Sequence, residues 1–245
     1  MAAGVFKVTA EDPSSEGRRE VWREWPSWVL LGGLWGFSLW AMGRLPARTP
    51  IHWNLHGEID GWGSPLMAAL MLPLIATLTY LIILAYDWGR MDFKAARAMS
   101  AATTRQIRLL VLLLMAGLQG LILRASLSGG MLRSGWILLV IFLFFIFFGN
   151  LMPRLEPNAW AGIRIPPTLE NREVWKRTHR LGGHWFMAAG LLGIPISFLP
   201  EPYANLLSLL LMLLPVLVAM IYAYWLRHRL DQLVDQDATP PQEPR

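Results

Sequence analysis

The sequence predicts an all-α membrane protein with six transmembrane helices, cytoplasmic N and C termini, and a short amphipathic helix in the loop between helices 4 and 5. The first observation behind this is composition. Of 245 residues, 54% are hydrophobic and only 16% are charged, too apolar and charge-poor for a soluble domain. The second is a set of six apolar segments, at about 27 to 43, 65 to 86, 107 to 125, 132 to 152, 184 to 200 and 203 to 226. Each meets or approaches the roughly 17 to 25 residues that a bilayer-spanning helix needs. The third is charge placement. Of the 22 lysines and arginines, all but Arg44, Arg48, Arg124 and Arg133 lie in the terminal tails, the loop near 87 to 108 or the long loop after the fourth segment. Positive residues mark cytoplasmic loops, so the loop from Arg44 to Ser64 faces outward.

In chain order, residues 1–26 form a polar cytoplasmic tail that ends in Trp22, Trp25 and Trp28, residues suited to the headgroup level. No short apolar stretch with a small-residue cleavage site precedes the first span, so no cleaved signal peptide is expected. Residues 27–226 make the transmembrane domain, with an outer motif loop at 44–64 and an inner motif loop at 149–184. The fifth segment is the shortest. Its Gly190, Gly193 and Pro195 predict a kink or a tilt against a neighbour, and a tight turn at Leu199 to Tyr203 joins it to the sixth. Residues 227–245, closing with DQDATPPQEPR, read as a disordered cytoplasmic tail.

The apolar cores contain no Asp, Glu, Lys, Arg or His. Arg124, Arg133, His184 and Arg227 stand at segment ends, and Gln119 and Asn150 are the polar exceptions. An ion-coupled pump needs an ionisable relay at membrane depth, which disfavours that class and leaves open a transporter of an uncharged or lipid-like substrate. Gly32, Gly33, Gly36, Gly117 and Gly120 read as helix contact surfaces. With no cysteine there is no disulfide, thiolate ligand or thiol nucleophile. The loops account for the basic excess, so membrane lipid is the expected partner and direct nucleic-acid binding is not.

Two loops carry the polar chemistry. In the outer loop, His52, Trp53, Asn54, His56, Glu58, Asp60 and Trp62 lie close together among Pro50, Gly57, Gly61 and Gly63. Two imidazoles and two carboxylates could furnish a metal site at His52, His56, Glu58 and Asp60, and with it a metal-dependent membrane enzyme. The turn-rich spacing does not fix them on one face, however, and the preferred reading is a structural or ligand-contacting loop without a cofactor.

The inner loop is long and aromatic, with helix grammar in its second half. Pro166 and Pro167 stop any preceding helix, Thr168 can cap, and Glu170 and Glu173 sit in the first turn. Lys176, Arg177 and Arg180 fall in the last turn, and Gly182 and Gly183 end the helix. Asn171, Val174, Thr178 and Leu181, with Trp175 beside them, make it amphipathic and suit it to a membrane surface. The functional or partner-docking candidates are Asn150, Asn158, Arg164, Thr168, Trp175, Lys176, Thr178, His179 and Arg180. A hydrolase needs a nucleophile with an oriented base, and His179 beside Thr178 is a weak signal for one, so no catalytic residue is assigned.

The run Pro50-Ile-His52-Trp53-Asn54 with Gly57, Asp60, Trp62, Gly63 and Ser64 resembles the outward module of SdpI-type proteins. The second signature of that family is similar to Gly149-Asn150, Pro153, Pro157-Asn158, Gly162-Ile163-Arg164, Pro166, Thr168-Leu169, Val174-Trp175 and Thr178-His179-Arg180. Ile165 and Pro167 stand where the family has a Thr and an aromatic, and Pro65 where it commonly has a Lys. The resemblance spans most of residues 27–226. It implies a multi-pass immunity protein of the bacterial cytoplasmic membrane that protects its producer from a secreted membrane-active peptide toxin on the outer face. It further implies signal transduction, through a transcriptional repressor held at the cytoplasmic face.

Overall fold

The computed structural model describes residues 22–54, 56, 58–87, 99–129, 132–158 and 160–238. Most of the N-terminal tail, Gly57, Arg90, Lys94, Arg97 and residues 239–245 lie outside the described residues. Helices dominate: α1 (Trp25–Met42), α2 (Pro65–Asp87), α3 (Ala101–Leu127), α4 (Ser134–Leu151), α5 (Pro166–Glu170), α6 (Arg172–Ile196) and α7 (Tyr203–Ala238). A 3-10 turn, Met152–Arg154, extends α4. Local chemistry sets the starts. The Ser100 hydroxyl accepts from the Thr103 amide at 3.2 Å and opens α3, and the Asn171 side chain accepts from the Glu173 and Val174 amides at 2.9 and 3.1 Å and opens α6.

The helices form two groups. In one, α1, α2 and α3 pack mutually; in the other, α4, α6 and α7 do; α3 against α4 joins them. Four helical stretches, Pro65–Tyr86, Ala101–Leu127, Ser134–Arg154 and Tyr203–Val234, are long and apolar enough to cross a bilayer. Leu66, Leu74, Leu78, Leu81, Leu206, Leu210 and Ile221 lie exposed on them, as lipid-facing side chains do in a helical membrane protein. The other two long helices fall short of that measure: α1 is diluted by Gly32, Gly33, Gly36 and Ser38, and α6 is charged over its first turns.

Several expectations need correction. The fold is not all-α: β1 (Thr49–Trp53) and β2 (Ile59–Gly63) form a two-stranded antiparallel sheet. Alternation of side chains along two short runs that flank a turn produces it, a period that the surrounding apolar helices mask. No separate amphipathic helix ends at Gly182. α6 runs without interruption from Arg172 to Ile196, because these glycines serve close packing and not chain reversal. A Cβ on Gly183 would stand 2.6 Å from the Gly149 carbonyl oxygen, and one on Gly190 2.7 Å from the Phe142 carbonyl oxygen, so α4 and α6 approach backbone to backbone. The apolar side of α6 therefore packs on protein, Val174 against Ala223 and Leu226 of α7. Gly117 meets Val140 as a contact surface should, whereas Gly32, Gly33, Gly36 and Gly120 have nothing within 4 Å. Residues 227–238, expected as tail, continue α7.

Candidate functional site

The inner motif loop closes on itself through four side chains. Asn158 is buried and organises the turn: its Oδ1 accepts from the Trp160 and Ala161 amides at 2.9 and 2.7 Å, while its Nδ2 donates to the Glu156 and Ala161 carbonyls. Gly162 follows with φ of 104°, a left-handed conformation that suits glycine. The next residue, Ile163, is held from both ends: its amide donates to His179 Nε2 at 3.0 Å and its carbonyl accepts from the Thr168 hydroxyl at 2.7 Å. Trp175 fixes the loop's beginning by donating Nε1–H to the Leu155 carbonyl at 2.6 Å. Around this frame Met99, Ile107, Leu110, Met152, Leu155 and Phe186 build an apolar cluster.

The chemistry of His179 follows from its partners. A carbonyl can only accept and an amide N–H can only donate, so Nδ1 carries the proton toward Trp175 O at 2.8 Å and Nε2 is the acceptor. Burial holds its pKa down at about 4, against the opposing pull of the Trp175 carbonyl. With both nitrogens engaged and the ring neutral, it has no lone pair to offer a substrate. Asn158, Thr168, Trp175 and His179 thus come together as a frame. Thr178 is buried nearby, its hydroxyl without a hydrogen-bond partner among the described residues. The frame leaves Arg164, Lys176 and Arg180 exposed, while Arg172 and Arg177 are drawn to Glu156 and Glu173. Asn150 stands apart, exposed near the end of α4.

The outer loop is the β1–β2 hairpin, with His52 opposite Gly61 and Trp53 opposite Ile59. Asn54 shapes its tip by accepting from the His56 and Glu58 amides at 2.8 and 3.0 Å, and its Nδ2 donates to Glu58 Oε2. His52 Nδ1 meets Asp60 Oδ1 at 2.6 Å, with the two side chains 69% and 44% exposed. Arg48 stacks its guanidinium over Trp62, 5.0 Å from the ring centre. The hairpin is seated on α3, where the Ser126 hydroxyl donates to the Pro50 carbonyl. Among the described residues no three His, Asp or Glu side chains converge as a metal set: Glu58 is turned to Asn54 and Asp60 to His52. The seven outer candidates therefore share one hairpin and not one coordination sphere.

One polar centre was not foreseen. Glu24 and Arg108 form an ion pair buried almost completely, and the Tyr80 hydroxyl donates to Glu24 Oε2 at 3.3 Å while accepting from Trp28 Nε1 at 3.1 Å. The network ties the start of α1 to α2 and α3. Arg108, expected in the loop near 87 to 108, lies inside the bilayer-length α3 and shares the spacing of Thr104, Leu112 and Gln119 on its buried side, so an ionisable pair does stand among the helices. That helical period was the signal available.

Two built polar loops on a scaffold of apolar helices define the class: a helical membrane protein whose loops are built surfaces. Residues 154–224 match the SdpI/YfhL protein family, and residues 29–77 match a domain of unknown function (DUF1648). The chain is also 26% identical over 180 residues to the protein named Immunity protein SdpI of Bacillus subtilis (strain 168), covering 74% of this chain and 84% of that one. These matches support reading the chain as an SdpI-type immunity protein. No solved structure matches it.

Proposed function

We propose that this protein gives resistance to a secreted, membrane-active peptide by binding it at the outer hairpin, in a six-span arrangement with both termini in the cytoplasm of a bacterium. The observation that carries the reading is the hairpin itself. It is seated on α3, and His52, Asp60 and Trp62 lie exposed on it where a ligand can reach them. An aromatic, partly acidic surface suits an apolar cationic peptide. On the opposite face, Arg164, Lys176 and Arg180 project from the frame and offer a basic docking face for a repressor protein, which would couple toxin engagement to signalling. The relative's name, Immunity protein SdpI, supports the first role.

The test is survival of a toxin-sensitive bacterium that expresses the protein, beside a His52→Ala/Asp60→Ala variant at matched membrane abundance. Protection by the parent and not by the variant is expected. Equal protection by both would remove the hairpin from the mechanism.

A further inference from the structure

A groove of about 280 Å³ runs between α3 and α4 at the end of the pair that carries Arg154. We propose that it binds an anionic membrane phospholipid, with the headgroup phosphate on Arg154, Asn150 and Gln106 and an acyl chain along Leu109, Leu113 and Phe147. The inference goes beyond the immunity reading and needs only that α3 and α4 stand in a bilayer.

Three features point to this ligand. The polar groups of the groove gather at one end and are rich in donors. Arg154 donates Nη1–H to Gln106 Oε1 at 3.4 Å, which leaves the Gln106 amide N–H groups and the rest of the guanidinium free to meet an acceptor. Among the described residues no carboxylate lines the groove. Asn150 adds a second amide. It is exposed, follows an unbroken apolar run from Trp136 to Gly149, and takes no partner among the described residues. An exposed amide on a bilayer-spanning helix is costly unless something meets it. The body of the groove is apolar over the next turns of both helices, at 109 and 113 on one and at 147 on the other, so a ligand that satisfies the donors continues as a hydrocarbon chain. A phosphodiester on two acyl chains with no balancing cation has this distribution of charge and grease, and basic pockets between membrane helices select such headgroups. Zwitterionic lipid presents the same phosphate beside an ammonium that Arg154 repels.

The experiment uses the full chain purified in neutral detergent, titrated with phosphatidylglycerol and phosphatidylcholine of identical acyl chains and followed by native mass spectrometry. Phosphatidylglycerol is expected to bind about fivefold more tightly, the worth of one arginine near an anionic headgroup. Arg154→Gln should abolish that preference, and Arg154→Lys should keep most of it. Arg124→Gln, at the other end of α3, should leave it intact. Gln106→Leu and Asn150→Leu provide a second pair of variants, each expected to weaken phosphatidylglycerol binding without lowering the melting temperature. Equal binding of the two lipids, full preference in Arg154→Gln, or an equal loss in Arg124→Gln would overturn the proposal. Displacement of the lipid by inorganic phosphate at millimolar concentration would also overturn it, because the anion alone would then account for the site.

Discussion

The imidazole of His179 lies flat against the indole of Trp175, ring centres 4.0 Å apart, and spans the distance from the Trp175 carbonyl to the Ile163 amide. One side chain thus locks the inner motif loop to the first turns of α6. Such a lock works only while the ring is neutral, since a proton on Nε2 would oppose the Ile163 N–H.

A pH dependence follows. An unfolded histidine takes up its proton near 6.5, whereas His179 in the fold does so near 4. Between these values the unfolded chain holds more protons than the native one, so stability falls as the pH drops from about 6.5 toward about 4 and levels off below. The contribution is about 3 kcal/mol. Thermal melts in detergent across that range should show the slope, and a His179→Phe variant should lose most of it while melting lower at neutral pH.

Gly162 predicts a sharper effect. A Cβ there would stand 2.2 Å from His179 Nε2, on a backbone already at φ of 104°. Gly162→Ala must therefore strain the turn and displace the ring that holds Ile163. A loss of about 2 to 3 kcal/mol is expected, together with a shift in tryptophan emission as Trp175 leaves its buried site. A Gly43→Ala control, where nothing lies within 4 Å, should melt like the parent.

The buried Glu24 and Arg108 pair gives the third prediction. Removing one partner leaves a charge without its counter-ion in an apolar surround, a loss of about 3 to 5 kcal/mol. Glu24→Gln and Arg108→Met should each melt well below the parent. The double variant should recover much of the loss, since neither charge is then stranded. If the two losses simply add, the charges do not depend on each other as their contact indicates.

Sequence reasoning found the helices because their apolar runs are long and their caps local. Asn158, Thr168, Trp175 and His179 stand among nine inner-loop candidates, and the structure joins these four in one frame while Asn150, Arg164, Lys176 and Arg180 lie exposed outside it. The role of the four was harder to see. The bonds run to the backbone of Leu155, Ala161 and Ile163, and no pattern of side chains announces a carbonyl as partner. Gly182 and Gly183 misled for a physical reason: a glycine pair after a basic turn ends a helix as readily as it admits a neighbouring one, and only the position of Gly149 on α4 decides. The hairpin went unforeseen because five-residue strands beside spans of twenty leave a faint period. Glu24 and Arg108 are separated by 84 positions, and nothing local links them.

The outer hairpin allows stability and function to be separated. His52 and Asp60 are close, yet both are exposed, and an exposed ion pair contributes at most about 1 kcal/mol. Asp60→Asn should accordingly melt within a few degrees of the parent. Gly61 is different: a Cβ there would stand 2.5 Å from the Cβ of His52 across the strands, so Gly61→Val should spread the hairpin and lower its stability. If the exposed side chains meet the peptide, Asp60→Asn should cost protection at unchanged melting temperature and abundance, and Gly61→Val should cost both. Survival in Asp60→Asn equal to the parent, with a loss only in Gly61→Val, would assign the hairpin a structural role and move the search for the contact surface away from it.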